Sequence, residues 1–458
     1  METLKAVFIA ADPPMPPTGG GTRAFHFTRV LSSITDCSLF ILFPVKRESL
    51  SETVLNNCIS VSIATVTFGS TFISKIGILF NHIRLLFAPW SFSKKQLFLT
   101  ADYYASNPYP GKQLLKQVFF FFLRYVIIWY AILIYRMGYS IPARSLERAD
   151  QFKELKQAIN VDIETSQLLW LDFSTLFPFF SSQRKVNPKL KIICNAHNIE
   201  YRILERMKNL AKDKLEQNWF ACQAAVMKKV ELKGFSDCDL VITCSDEDKG
   251  EILLHLPDAA VEVIPNGVDI RYFIPDSCPT EYPSLLFTGN MGYKPNHDAV
   301  VYFIEKIFPY VIEVNPSCTF IIAGARAGVA FEKYQNWNNI EIISSPIDMR
   351  PIYNKAWIAI VPLRVGGGTR LKILDAMAMG KPVISTSIGA EGLGLEDNIE
   401  LFIANDEPGF AEKINLLIRE RHISECMAKA AKEKIMHLYD WAKVRELATN
   451  MIPNYIGI

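Results

Sequence analysis

Short apolar runs alternate with amphipathic segments along the second half of the chain. The runs have the length of buried strands, and the segments between them carry apolar residues at helical spacing. We predict strands over Ser284–Thr288, 318–323, 340–343, 358–363 and 383–386, and helices from Pro295 and Asn296 onward, over 349–355 and over 370–379. This alternation predicts a parallel sheet covered on both faces.

The first half has the same rhythm. Strands are predicted over 4–10, 38–43, 60–68, 168–172, 191–195 and 240–243, with one long helix from Ile199 to about Leu232, capped by Asn198. Two such halves predict an α/β fold of two Rossmann-like, doubly wound domains that face a ligand cleft at the carboxyl ends of their strands. We place an N-terminal domain at 1–256, a second domain at 257–435, and a helix that returns to the first domain at 436–458.

An apolar stretch at 118–135, within an insert of about 95–150, interrupts this rhythm. Its only charge is Arg124, and its length could just span a bilayer. One crossing would divide a single sheet domain between two compartments, so a buried helix is the simplest interpretation. An in-plane or hairpin membrane contact is the second, supported by Trp129 and the nearby tyrosines; a spanning helix is the third.

Composition narrows the class of protein further. Half of the residues are hydrophobic and 49 basic residues nearly balance 47 acidic ones, which argues against disorder and against a nucleic-acid partner. The nine cysteines form no CxxC pair, which favours a reducing cytoplasm without a disulfide framework or a metal site. The apolar run at 6–11 is too short for a signal peptide, so we predict a first strand there.

The strongest chemical signal lies at 366–375, which reads GGGTRLKILD. Gly366, Gly367 and Gly368 follow a predicted strand and let backbone N–H groups approach an anion. A helix starts directly after them and directs its positive end at the same place. Thr369 can cap that helix, and Arg370 and Lys372 add charge. We predict a phosphate or diphosphate site; the alternative is a tight turn with solvated basic side chains.

Three weaker signals lie at other strand ends. Residues 289–292 read GNMG, with Lys294 close by, at the same predicted sheet edge. In the first half, Gly19, Gly20, Gly21 and Arg23 open a helix and predict an acceptor or phosphate loop, or else a surface loop. His197 follows the predicted strand at 191–195, so it is a candidate catalytic residue facing the cleft, although a lone histidine is often structural.

These segments resemble the GT-B glycosyltransferases of the large retaining group, known as group 1 and similar to family 4. The resemblance covers nearly the whole chain except about 95–150. It is carried by GGGTR at 19–23, AHNIEYR at 196–202, IPNGVD at 264–269 and, most specifically, 366–383; YDW at 439–441 resembles the closing segment of that fold.

The resemblance implies that a nucleoside-diphosphate sugar binds the C-terminal domain and that the acceptor lies against the N-terminal one. Asp375 stands where many members have a ribose-binding glutamate, and Gly367 replaces their other glutamate, as in a branch that reads GGGT. Asn290 stands where many members have an arginine. The resemblance then implies that Arg370, Lys372 and Lys294 neutralise the charge of the diphosphate. It also implies that Ile347 lies near the nucleoside.

The expected function is therefore transfer of a sugar to a glycan or lipid-linked acceptor, with retention, in cell-surface polysaccharide biosynthesis. No cofactor and no metal are expected, because the donor is a co-substrate and basic groups can stabilise the leaving phosphate. We expect a cytoplasmic protein, at the inner face of the membrane if 118–135 touches it. Two alternatives stay open: a sugar-nucleotide epimerase, and a non-catalytic protein that binds nucleotide sugar or a partner.

Overall fold

The computed structural model describes residues 4–10, 19–41, 58, 60–63, 153–180, 183–276 and 281–457. The predicted insert at 95–150, with its apolar run at 118–135, lies outside them. Within the described ranges, no helix has the length and apolar character needed to cross a membrane.

Two sheets organise the described residues. The strands are β1 Lys5–Ala10, β2 Asp36–Ile41, β3 Ser60–Ile63, β4 Leu168–Asp172, β5 Lys191–Asn195, β6 Leu240–Thr243, β7 Val261–Val263, β8 Ser284–Thr288, β9 Thr319–Gly324, β10 Ile340–Ser344, β11 Ile358–Val361, β12 Val383–Ser385 and β13 Phe402–Ile403. The first sheet has the order β3-β2-β1-β4-β5-β6-β7 and the second the order β10-β9-β8-β11-β12-β13.

Helices connect these strands. They span Gly19–Ile34, Lys153–Thr165, Phe177–Phe180, Glu200–Asn209, Lys214–Ser236, Asp246–His255, Lys294–Tyr302, Phe308–Val314, Ala327–Ala330, Arg350–Lys355, Leu371–Ala378, Ser387–Ala390, Glu407–Arg419, Arg421–Leu438 and Trp441–Ile456. A π-helical segment, Phe303–Ile307, joins two of them, and short 3-10 turns lie at Ser174–Leu176, Gln183–Lys185 and Glu332–Tyr334.

The strand order confirms the predicted fold class. Every pair in the second sheet is parallel, and β8 at its centre is buried along its whole length, as expected when helices cover both faces. In both sheets the first strand lies beside the fourth and the order reverses there, which is the doubly wound Rossmann arrangement. The apolar runs read from the sequence are thus the buried strands of two parallel sheets.

The described residues divide into two compact units. The described residues of the first unit lie within 1–243, 249–262 and 449–458, and those of the second within 244–248 and 263–448. The division at 262/263 falls within β7, the last strand of the first sheet. The last ten residues, which include the end of helix Trp441–Ile456, belong to the first unit; there Tyr455 donates its hydroxyl to Glu262 Oε1 at 2.6 Å.

The long helix predicted from Ile199 to about Leu232 is wrong, because two helices stand in its place. The chain breaks between Asn209 and Lys214, where Asp213 caps the second helix by accepting a hydrogen bond from Glu216 N at 2.7 Å. The carboxylate of Asp213 favours the start of a new helix at this position. The break could not be predicted, because the apolar residues keep helical spacing across it.

The predicted cap by Asn198 is also wrong. Ile199 occupies the cap position without a side-chain bond, and Asn198 donates instead to Glu200 Oε1 at 3.2 Å. The first backbone N–H groups of this helix are satisfied by buried Glu231, which accepts from Glu200 N at 3.0 Å and from Tyr201 N at 2.9 Å. A carboxylate from a distant helix thus replaces the local cap.

Candidate functional site

The glycine loop, residues 366–370, lies between β11 and helix Leu371–Ala378. β11 pairs with β8, so this loop and the turn that follows β8 flank the point where the order of the second sheet reverses. Such switch points are the ligand sites of doubly wound sheets, because the flanking loops diverge there. Gly368 has a φ of 60°, a left-handed conformation that favours glycine.

Arg370 is folded back onto this loop. Its Nη1 donates to the carbonyl oxygens of Gly367 and Gly368, and its Nη2 donates to Ile388 O at 3.1 Å. A Cβ at Gly366 would lie 2.6 Å from Nη2, so the guanidinium covers that glycine. The side chain is buried. The predicted direct phosphate ligand therefore holds the loop carbonyls, which fixes the shape of the loop.

Thr369 does not cap the helix, contrary to the prediction. Arg370 occupies the cap position without a side-chain cap bond, and Thr369 Oγ1 accepts from Asn266 Nδ2 at 2.8 Å. Asn266 lies in the IPNGVD segment, and its neighbour Gly267 contacts the YDW segment, where an added Cβ would meet Trp441 at 2.8 Å. Segments that carry the family resemblance thus support one another within the second unit.

The turn at 289–292 lies next to Lys372. Lys372 Nζ donates to Asn296 Oδ1 at 2.8 Å and lies 3.0 Å from the Cβ position of Gly289. Burial, then the charge of Arg370, lowers the pKa of Lys372 well below its usual range, and Asp375 partly opposes this. The amine is held where an added anion would favour its charged form, so Lys372 is suited to a phosphate.

Asp375 lies one turn after Lys372 on the same helix. Burial raises the pKa of this carboxyl to about 8, while the charge of Lys372 lowers it. Burial, then the charge of Asp375, raises the pKa of Tyr353, whose hydroxyl lies 3.1 Å from Thr288 Oγ1 at the end of β8. Asp375 thus lies on the helix that follows the glycine loop, and its ribose contact stays a prediction.

The other donor-site candidates lie at separate places along the edge of the second sheet. Asn290 accepts from Gly292 N at 2.9 Å, so its side chain stabilises its own turn. Lys294 is exposed at the start of helix Lys294–Tyr302. Ile347 follows the edge strand β10, and its side chain is fully exposed. Asn290 and Lys294 thus lie by the glycine turn, whereas Ile347 lies two strands from β8.

In the first unit, His197 belongs to a buried polar network. Its Nε2 lies 3.0 Å from Asp172 Oδ1, and Asn195 Nδ2 donates to the same oxygen at 2.7 Å. Asp172 and Asn195 are paired at the ends of adjacent strands β4 and β5. A donor at His197 Nε2 fits the carboxylate best, which makes Nδ1 the hydrogen-bond acceptor of the ring.

Arg23 completes this network. It is fully buried, its Nε donates to Asn195 Oδ1 at 2.9 Å, and its guanidinium lies 4.7 Å from the ring centre of Phe27. The structure thus brings Arg23 and His197 to one place. Gly19, Gly20 and Gly21 form the first turn of helix Gly19–Ile34, so the predicted glycine loop is helical at these three positions.

Phe173 adds a strained element beside His197. Its φ of 114° lies in a region that side chains rarely adopt, and its ring stacks on the His197 ring at 3.8 Å between centroids. Such strain persists only where the surroundings fix it, and it is concentrated at functional sites. Together with the buried carboxyl of Asp172, the stacking holds the imidazole in one orientation.

Sequence reasoning missed Asp172, Asn195, Phe173 and Asn266. Asp172 and Asn195 are the last residues of predicted strands, so a polar residue at the end of an apolar run was an available signal. Nothing in the sequence around Phe173 or Asn266 indicates their contacts, because both depend on tertiary structure.

Residues 282–420 match a family model described as Glycosyl transferases group 1. This stretch contains the turn at 289–292 and the glycine loop. An uncharacterized 44.6 kDa protein in the cps region of Klebsiella pneumoniae is 39% identical over 139 residues, which cover 29% of this chain and 36% of that relative. The match therefore spans about a third of the relative's own length.

Solved structures align with nearly the whole chain at low identity. Sucrose-phosphate synthase from Thermosynechococcus elongatus aligns with a TM-score of 0.66 at 12% identity, covering 99% of each chain. Anabaena HepE in complex with UDP and glucose aligns at 0.60 and 11%, covering 98% of this chain and 99% of that one. A glycosyltransferase from Rickettsia africae aligns at 0.54 and 13%, covering 100% and 99%. The chain has the GT-B fold of these glycosyltransferases.

Proposed function

We propose that the chain is a glycosyltransferase that moves a sugar from a nucleoside-diphosphate sugar to a glycan or lipid-linked acceptor, with retention, in cell-surface polysaccharide biosynthesis. The observation that carries the proposal is the glycine loop at 366–370, held by Arg370, with Lys372 in the first turn of the next helix, at the switch point of the second sheet. The group 1 match supports the reaction class, and the cps-region relative supports the biosynthetic setting.

Charge on the leaving nucleoside diphosphate is the main obstacle to this reaction. Backbone N–H groups of the glycine loop and the amine of Lys372 would stabilise the departing oxygens, because fixed dipoles and charges act strongly in a partly buried site. Arg370 acts through the loop as a positioning residue, and Asp375 would hold the ribose. Basic groups and backbone amides suffice for this role, so we propose a reaction without metal or cofactor, with the nucleotide sugar as co-substrate.

His197 would position or deprotonate an acceptor hydroxyl, with Asp172 next to Nε2 of its ring. Asp172→Asn tests this role, since the amide can present a donor to Nε2 and favour the other tautomer. We expect kcat to fall by roughly 10²–10⁴, the range of general acid–base catalysis, with little change in the Kd of the nucleotide. An equal loss of nucleotide affinity would assign the network to folding instead. We assign no nucleophile.

One donor panel tests the whole proposal. Thermal shift with UDP-, GDP-, ADP- and CMP-sugars identifies the donor base, since a ligand that binds only the folded state raises the melting temperature. Product analysis with the stabilising sugar then separates three functions. Transfer to an acceptor or to water supports the glycosyltransferase, a changed sugar that is still linked to its nucleotide supports the epimerase, and binding without turnover supports the non-catalytic protein.

The substitution Lys372→Met tests the contribution of Lys372, on which the proposal rests. It keeps the length of the side chain and removes the charge, and we expect nucleoside-diphosphate affinity to fall at least tenfold, since an unpaired buried charge costs about 2–5 kcal/mol. Lys413→Met is the control, because Lys413 lies on helix Glu407–Arg419 and its Nζ lies over the Phe402 ring. Equal affinities in wild type and Lys372→Met would place the phosphates elsewhere.

We further propose a cytoplasmic enzyme that contacts the inner face of the membrane through residues 118–135. The support is the sequence alone, with its aromatic residues and single Arg124. Flotation with anionic liposomes, compared between the full chain and a deletion of residues 100–140, tests the contact. Recovery of the full chain with the liposomes, and of the deletion in the soluble fraction, supports it; an intact chain that never floats rejects it.

A further inference from the structure

The turn after β8 and the segment after β9 contact each other directly through their backbones. Met291 N donates to Ala325 O at 2.9 Å, and a Cβ at Gly324 would lie only 2.0 Å from Gly289 O. This close approach requires glycine at 324, whose φ is 139°. The next side chain along the segment, Arg326, is therefore fixed beside the turn.

Arg326 adopts a left-handed backbone conformation with a φ of 63° and a ψ of 12°. This conformation is unfavourable for a residue with a long side chain and is a feature of functional sites. It sends the side chain across the turn: a Cβ at Gly292 would meet Arg326 Cδ at 3.0 Å and Nη1 at 3.2 Å. In the described part of the chain, the exposed guanidinium has no hydrogen-bond or salt-bridge partner.

Lys372 lies at the other end of the same turn. Its Nζ is 3.0 Å from the Cβ position of Gly289, whereas Arg326 crosses Gly292. The turn between them exposes backbone, and Asn290 adds no charge because its side-chain amide is neutral; its oxygen accepts from Gly292 N. Two cations thus flank a bare glycine turn at the switch point of the sheet.

We infer that Arg326 binds the diphosphate of the nucleotide sugar, in place of the arginine that the family resemblance implies at the position of Asn290. This inference rests on the proposed function. A guanidinium presents a planar pair of donors that matches two phosphate oxygens, so it suits a diphosphate better than a point charge does. Arg326 reaches the phosphates from the β9 side and Lys372 from the helix that follows β11.

Replacement of Arg326 by glycine separates binding from folding. Glycine suits the left-handed conformation, so Arg326→Gly is expected to keep or raise the melting temperature while it weakens binding. Asn398→Gly is the matched control, since Asn398 has the same φ of 63° in the same unit. Arg326→Lys keeps the charge and removes the paired donors.

Isothermal titration with UDP, GDP and ADP, with uridine, guanosine and adenosine, and with inorganic pyrophosphate gives the readout. We expect Arg326→Gly to weaken the best-binding nucleoside diphosphate and pyrophosphate at least tenfold, to leave the matching nucleoside unchanged, and to leave folding intact. Arg326→Lys should lie between wild type and Arg326→Gly, and Asn398→Gly should bind like wild type.

Two negative results have different meanings. If wild type binds a nucleoside diphosphate and Arg326→Gly binds it equally well, the role of Arg326 is overturned while the proposed function stands. If wild type binds none of the three nucleoside diphosphates, the proposed function fails and the role of Arg326 fails with it. Equal weakening of diphosphate and nucleoside would show that Arg326 shapes the whole pocket, which also overturns a phosphate contact.

Discussion

Arg370 supports the glycine loop, and a conservative change tests this role. Arg370→Lys keeps the positive charge but replaces the planar guanidinium by a single ammonium group. The guanidinium donates to the carbonyls of Gly367, Gly368 and Ile388 at once, while its face covers Gly366. A lysine cannot reach three separated oxygens in this way, so at least one loop carbonyl loses its donor.

The size of the effect follows from these contacts. Hydrogen bonds from charged donors contribute about 1.5–3 kcal/mol each, so loss of one or two destabilises the loop by about 1.5–6 kcal/mol. A loop that holds the binding-competent shape for only a fraction of the time raises the apparent Kd by the inverse of that fraction. The loop keeps its binding-competent shape until the destabilisation exceeds its own stability, so only part of the lost free energy appears as weaker binding. We therefore expect the Kd of the nucleoside diphosphate to rise about 10- to 100-fold.

Titration calorimetry with the nucleoside diphosphate that wild type binds measures this change, and thermal unfolding measures the loss of stability. Arg370→Met separates positioning from direct charge: if Arg370 only supplied charge to the phosphates, lysine would keep most of the affinity and methionine would lose it. We expect lysine and methionine to be similarly weak. Arg419→Lys, at an exposed position, is the control for the exchange itself. Wild-type affinity in Arg370→Lys would refute the positioning role.

Three further predictions concern a glycine contact and two perturbed carboxyls. Gly324→Ala should destabilise the second unit by more than about 2 kcal/mol, because residue 324 has a positive φ and an added Cβ would overlap the backbone oxygen of Gly289. Gly250→Ala is the control. Gly250 lies inside helix Asp246–His255 with open space around it, so this change should stabilise the protein by about 0.5–1 kcal/mol in thermal unfolding. Burial, then the charge of Glu200, raises the pKa of Glu231 to about 8, so the contribution of the protonated carboxyl to stability is complete below pH ~4.5 and is lost as pH rises to ~8. The difference in melting temperature between wild type and Glu231→Gln should therefore shrink from pH ~4.5 to ~8. A difference that stays constant over this range would contradict the prediction. Burial also raises the pKa of Asp375 to about 8, so nucleoside-diphosphate affinity should fall between pH ~7 and ~9 as this carboxyl gains charge, and Asp375→Asn should flatten the profile in titration calorimetry.

The sequence was sufficient to predict the framework of both sheets. Buried strands need continuous apolar runs, so the core of nearly every strand was visible, and the glycine segments at 289–292 and 366–368 follow strands on either side of the switch point. Boundaries shifted by one or two residues, as at β9, predicted at 318–323 and found at Thr319–Gly324. Helix starts were less visible, because Asp213 and Glu231 act through local geometry and distant contacts that periodicity does not record.

Contacts between distant residues were beyond sequence reasoning. Arg23 and Asn195 are 172 positions apart, and Asn266 and Thr369 are 103 apart, yet each pair shares a hydrogen bond. Both predicted arginines, Arg23 and Arg370, are buried and donate to acceptors of the protein itself, and their contacts with a ligand stay predictions. A buried guanidinium must be satisfied by several acceptors, and carbonyls at the ends of strands and in glycine loops supply them.

The distribution of positive charge in the second unit links these observations. Arg370 directs its donors at carbonyl oxygens, so its guanidinium holds the loop and lowers the pKa of Lys372 through repulsion. Lys372 then gains most from an incoming anion, because a diphosphate would offset both burial and the repulsion from Arg370. Arg326 adds a charge whose donors are exposed on the other side of the turn. Because Arg370 shapes the loop and Arg326 reaches across Gly292, the donor site does not require a charged side chain at position 290, where this chain has Asn290.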